Sequence, residues 1–160
     1  MHSTVKNIIQ IQEEIKGKIQ ELKYSNYKPE IIAVSKTFPI EHISHLISHG
    51  HLNFGENKVQ EAVEKWTNIK EKNKNIKIHM IGKLQTNKVK NAVKIFDYIH
   101  SVDSLKLIKK ISIEQANIQK KIKIFIQVNI GAESQKSGVN VNQVKETYNY
   151  MSNKYFTHAT

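Results

Sequence analysis

The run Pro29-Glu30-Ile31-Ile32-Ala33-Val34-Ser35-Lys36-Thr37-Phe38-Pro39 decides how the rest of the chain is read. Its consecutive apolar, β-branched positions predict a strand over 30–34, buried on both faces of a parallel sheet. Pro39 then suits the first turn of a helix, and Ile40, Ile43, Leu46 and Ile47 recur at helical spacing until Gly50 offers a stop. A strand followed at once by a helix is one β/α unit, and the same pattern continues outward. Upstream, Val5, Ile8, Ile9, Ile15, Ile19 and Leu22 mark an amphipathic N-terminal helix. Downstream come a strand at 52–54, a helix carrying Val59, Ala62, Val63 and Trp66, and a strand over 76–81. A helix from about Asn87, a strand over 98–102, a helix from Ser104 through Ile111 and a long strand over 121–130 follow. A last helix is expected over 142–151, and Tyr155 and Phe156 begin a further element.

Strict alternation of strand and helix implies a parallel sheet, either open and doubly wound or closed as a barrel, and periodicity alone does not choose. An eight-stranded barrel averages about 250 residues, so five units in 160 residues have a barrel's pace. The expected fold class is α/β, of the (β/α)8 TIM-barrel type but incomplete, as a single domain over 1–160 lacking its C-terminal β/α units.

Composition narrows the function classes. Apolar residues make up 39% and charged residues 24%, too apolar for disorder and too interrupted by charge for a membrane protein. No apolar stretch approaches the ~18 residues that cross a bilayer, and the N-terminus has no compact signal core, so a cytoplasmic address is the simplest reading. Zero Cys excludes disulfides, thiolate nucleophiles and Cys-based zinc sites. The net charge of +11 invites a nucleic-acid partner, but all 25 basic residues are Lys. The bidentate Arg fork that phosphate and guanine recognition favours is absent.

In parallel α/β folds functional groups gather at the C-terminal ends of the strands. Lys36 lies there, either as an amine made nucleophilic by desolvation over low-dielectric walls or as a solvated charge closing a strand. In Phe54-Gly55-Glu56-Asn57, the Gly lets backbone approach a ligand and Asn57 offers a donor and an acceptor; equally, Asn57 or Glu56 caps the next helix. His79 lies either under a bound ring or in the interior as a satisfied histidine. His42, His45 and His49 share a helix face without a carboxylate to complete a metal shell, so no metal site is expected. No Ser-His-Asp order, P-loop or dinucleotide fingerprint is present.

Four segments, taken in order and spacing, carry more weight than any one alone. They are Ala33-Val34-Ser35-Lys36-Thr37, Phe54 through Glu61, His79 through Lys88, and Val128-Asn129 with Glu133, Lys136 and Gly138. Over about 31–139 they resemble the YggS/PROSC family of pyridoxal phosphate (PLP) homeostasis proteins. The resemblance implies a single barrel related to the N-terminal domain of alanine racemase, with PLP as cofactor and Lys36 as its Schiff-base lysine. It places Val34 and Asn57 near the cofactor, with His79 a further neighbour, and makes Lys136 a second lysine that receives or passes on PLP. It implies a carrier or buffer without turnover, serving PLP-dependent apoenzymes, with no nucleic-acid or membrane partner. The family's later β/α units, which supply the phosphate-holding loops, lie beyond Thr160. The expected partners therefore include a second copy or a complementing C-terminal fragment. The competing classes are an amino-acid racemase or decarboxylase and a Lys-rich nucleic-acid-binding protein.

Overall fold

The computed structural model describes residues 1–131, 133 and 135–152; Tyr155 and Phe156 lie outside the described residues. The chain enters through α1 (Ser3–Glu21), capped by the His2 side chain and seated by Val5 and Ile8. Five β/α steps follow: β1 (Ala33–Val34), α2 (Ile40–Ser48), β2 (Asn53–Glu56), α3 (Val59–Lys72), β3 (Lys77–Met80), α4 (Val89–Ile95), β4 (Tyr98–Val102), α5 (Leu105–Asn117) and β5 (Lys123–Ile126). A small second sheet pairs β6 (Val128–Asn129) with β7 (Val139–Asn140), and α6 (Val144–Ser152) comes last.

The main sheet is parallel throughout, in the order β1-β2-β3-β4-β5. Each strand lies beside its neighbour in sequence, with no reversal of the kind a doubly wound sheet needs. α3 packs on α4 and α4 on α5, so these helices line one side of the sheet. Period-two alternation divides the strand residues between two faces. Phe54, Ile78, Met80, Ile99 and Ile124 join Trp66, Ala92, Val93, Ile108 and Ile111 in the core between sheet and helices. The opposite, inner face carries Asn53, His79, Tyr98, His100 and Phe125, where His79 stacks on Tyr98 at 4.2 Å and His100 on Phe125 at 4.4 Å.

Two expected strands differ from what is found. The first is only Ala33–Val34, and Val34 is 50% exposed rather than buried on both faces. The cause is its place at the sheet edge, where β2 is its only strand neighbour among the described residues. The expected strand over 121–130 divides at Gln127: β5 pairs with β4, whereas Val128–Asn129 leaves for β7. β4 has its predicted bounds, and Ser104 caps α5 by accepting from Leu107 N at 3.3 Å.

Candidate binding site at the strand ends

The C-terminal end of β1 is held unusually firmly. Ser35 N donates to Gly55 O at 2.9 Å, and Ser35 Oγ donates to Glu56 Oε1 at 2.8 Å. Ser35 O accepts from Lys65 Nζ at 2.8 Å and from Phe38 N at 3.3 Å. The last bond closes a turn with Lys36 and Thr37 at its centre, and Thr37 has φ 66°, the left-handed region that a β-branched residue seldom enters. Lys36 thus stands at the apex of a tethered turn, with its side chain exposed. The low-dielectric walls expected around it are not formed by the described residues, because the strand beneath it is an edge.

Glu56 is fully buried and does not cap the next helix, one of the readings its segment left open. In Phe54-Gly55-Glu56, alternation puts Glu56 on the same side as Phe54, facing the helices. There Oε1 accepts from Ser35 Oγ, from Lys65 Nζ at 2.9 Å and from Trp66 Nε1 at 2.9 Å, while Oε2 has no partner. α3 begins without a side-chain cap. Sequence reasoning missed Lys65 and Trp66 as members of this cluster. The available signal was a carboxylate at core-facing parity, which needs a cation or donors from the helix packed above it.

Asn57 stands beside Gly82. A Cβ on Gly82 would lie 2.8 Å from Asn57 Cα, so the β2 and β3 loops approach too closely for any other residue. Asn57 Oδ1 is buried without a hydrogen-bond partner. On the inner face, a Cβ on Gly55 would meet the Ile32 and Ile81 side chains at 3.2 Å. Val34, Gly55 and His79 share one row of the sheet register. Both ring nitrogens of His79 are occupied, Nε2 by Asn53 Oδ1 at 3.0 Å and Nδ1 by His100 Nε2 at 3.0 Å. Burial, with His100 beside it, pushes the His79 imidazole down to about 4.

Lys136 lies apart from this group. Its Nζ pairs with Glu133 Oε1 at 2.6 Å, and its loop is tied down by Asn129 Nδ2 donating to Glu133 O at 2.8 Å and Gln127 Nε2 donating to Ser137 O at 3.0 Å. Gly138, at φ +140°, lets the loop turn against Asn129, whose N would lie 2.7 Å from a Cβ there. Lys83, Ser101, Asn129 and Lys136 line a cavity of ≈ 510 Å³ at the ends of β3 to β5, and Lys36 is not among its walls. The sequence-predicted residues therefore fall into two groups: Lys36, Val34, Asn57 and His79 at β1 to β3, and Lys136 in the loop between β6 and β7. Among the described residues no group of three or more His, Asp or Glu is placed to hold a metal ion, and no helix is long and apolar enough to cross a membrane.

A parallel α/β sheet with each strand beside its neighbour in sequence, and helices packed against it, is an architecture of the alanine racemase N-terminal domain type. The chain belongs to the family described as alanine racemase, N-terminal domain, which matches residues 12–158. Within that family the resemblance to pyridoxal phosphate homeostasis proteins is borne out. The chain is similar to the "Pyridoxal phosphate homeostasis protein" of Pasteurella multocida, 35% identical over 147 residues, covering 92% of this chain and 63% of that one. Among solved structures it is similar to PipY of Synechococcus elongatus. Without PLP, that structure gives a TM-score of 0.73 at 29% identity, covering 89% of this chain and 66% of PipY. With PLP bound, it gives 0.69 at 30% identity, covering 85% and 63%. The chain thus spans somewhat under two thirds of the curated relative's length.

Proposed function

We propose that this chain binds PLP reversibly and acts in its homeostasis as a carrier or buffer, with Lys36 supplying the amine that holds the aldehyde. The observation that carries this reading is the rim at β1 and β2: the tethered Lys36 turn, with the orphaned Asn57 Oδ1 just past the end of the neighbouring strand. A buried acceptor left unmade costs about 1–3 kcal/mol, and a ring substituent donating to it would remove that cost. Gly55 and Gly82 make room for their own neighbours, Ile32 and Ile81 at the first and Asn57 at the second, so the fit to an aromatic cofactor rests on the exposed Lys36 amine and the unpartnered Asn57 Oδ1. Lys36 would hold it, Val34 and Asn57 would flank it, and His79, its nitrogens committed elsewhere, would offer only ring surface. PLP supplies, when bound, an aldehyde that a neutral amine captures reversibly. The likeness to relatives named for PLP homeostasis and to a PLP-bound structure supports the assignment.

The five-stranded arc is one wall of a (β/α)8 barrel, and 1–160 forms a single domain of it. Its recipients are PLP-dependent apoenzymes in the cytoplasm, and the open sheet edges fit a second copy or a fragment carrying further β/α units. Co-expression with such a fragment raises solubility and melting temperature on this view; no gain would remove the complementation idea. Lys136 receives or passes on the cofactor, an assignment that fails if Lys136→Ala leaves loading and transfer to an apoenzyme unchanged.

The central test adds PLP, records the visible absorbance, traps the linkage with borohydride and locates it by mass spectrometry. A single adduct on Lys36, lost in Lys36→Ala, is expected. An adduct spread over many lysines, or none, overturns the reading. Exchange of amino-acid α-protons in the loaded protein would instead favour a racemase-like enzyme, which needs an acid–base partner across the ring.

A further inference from the structure

We infer that Glu56 and Lys65 are positioning residues for Lys36: their buried ion pair clamps Ser35, and through it the turn that carries the amine. The inference rests on the reading of Lys36 as the cofactor lysine. Ser35 has its N, Oγ and O all engaged, two of them by this pair. Glu56 Oε1 collects the Ser35 hydroxyl, the Lys65 ammonium and the Trp66 indole N–H within 2.8–2.9 Å.

Stability alone does not account for the pair. Glu56 is wholly buried and the Lys65 side chain is 13% exposed. Desolvating two such charges offsets most of their attraction, and a well-packed apolar pair would serve the core around Phe54 and Trp66 as well or better. What an ion pair adds is direction, because Lys65 bridges Glu56 Oε1 and Ser35 O with one ammonium. The next three residues need that direction. Lys36 is exposed, and Thr37 holds a left-handed φ of 66°. Such a conformation persists only where the flanking structure fixes it. The fixed point on one side is Ser35.

The test uses the full chain, with thermal melts alongside borohydride trapping of PLP and mass-spectrometric mapping. Lys65→Met is expected to slow Lys36 labelling roughly tenfold, the scale of a small misplacement of a reacting group, and to spread adducts to other lysines. Lys65→Arg is expected to restore most of the rate and selectivity. A purely structural role would lower the melting temperature without redistributing the adduct among folded molecules. Where Lys65→Met alone unfolds, the double variant Glu56→Gln with Lys65→Met decides, because it strands no buried charge. Wild-type rate and selectivity in a folded variant would overturn the positioning role while leaving Lys36 as the cofactor lysine. Absence of a Lys36 adduct in the wild type would overturn both.

Discussion

His79 Nδ1 lies 3.0 Å from His100 Nε2, and this contact fixes the protonation of both rings. Asn53 Oδ1 can only accept, so His79 Nε2 carries a proton and Nδ1 must accept from the N–H of His100. Two neutral imidazoles satisfy this chain with His100 as its Nε2–H tautomer; a proton on His79 Nδ1 would reverse that bond and require His100 to carry its proton on Nδ1. Burial and the neighbouring His100 lower His79 from 6.5 to about 4, against an opposing pull from Asp97. In that window the unfolded chain binds a proton that the folded chain refuses. The stabilisation is therefore complete above pH 6.5 and falls as pH drops toward 4, by up to about 3 kcal/mol. Urea titrations from pH 7.5 to 4.5, read by fluorescence of the single tryptophan, Trp66, should show the falling midpoint, and His79→Gln should flatten it.

Asp97 ties the start of β4 to its surroundings. Its Oδ2 accepts from Ile78 N at 2.9 Å and pairs with Lys70, and Oδ1 lies 3.7 Å from Lys120 Nζ. Asp97→Ala strands a backbone donor and a partly buried ammonium, and a loss of about 3 kcal/mol in urea unfolding is expected. Lys120, bonded to Phe96 O at 2.7 Å, is pushed down to about 8, chiefly by burial. Between that value and 10.5 the unfolded chain holds the extra proton, so stability should rise with pH above 8. Lys120→Met should remove that rise.

Gly82→Ala probes the crossing of two loops. The new methyl would sit 2.8 Å from Asn57 Cα, so the β2 loop must move. A loss of about 2 kcal/mol is expected from strain of this kind. PLP labelling of Lys36 should fall with it. Unchanged labelling would separate Asn57 from the cofactor.

Thr37→Asn should stabilise the chain. Asn tolerates the left-handed region that Thr37 occupies at φ 66°, and relief of about 1 kcal/mol is expected in a thermal melt. Thr37→Val, still β-branched, should give no gain.

Much of this arrangement is legible from local pattern. The alternation of strand and helix and the bounds of β4 depend on neighbours in sequence, and they read correctly. The length of β1 and the break at Gln127 depend on which strands lie alongside, which no local period encodes. Lys36 was visible as the residue closing an apolar run, but its openness to solvent follows from the strand's place at the edge. Glu56 is the instructive case: its two-residue spacing from Phe54 sets it on the core face only because the strand runs on to Glu56, two residues past the expected 52–54. Its partner Lys65 is set by how α3 lies over β2. His79 needed cross-strand register to decide what its nitrogens touch, since Asn53 and His100 are 26 and 21 residues away.

The tethering of Ser35 divides the freedom of this region unequally. The main chain entering the turn has already given up its motion, whereas the four-carbon stem of Lys36 has not. A molecule captured at the amine would have to still only that side chain, a loss of about 1.5–2 kcal/mol in rotamer entropy, rather than also ordering a loop at about 1–2 kcal/mol per residue. Weak, readily reversed capture is compatible with such a site, because an exposed side chain stands on backbone that hydrogen bonds already hold.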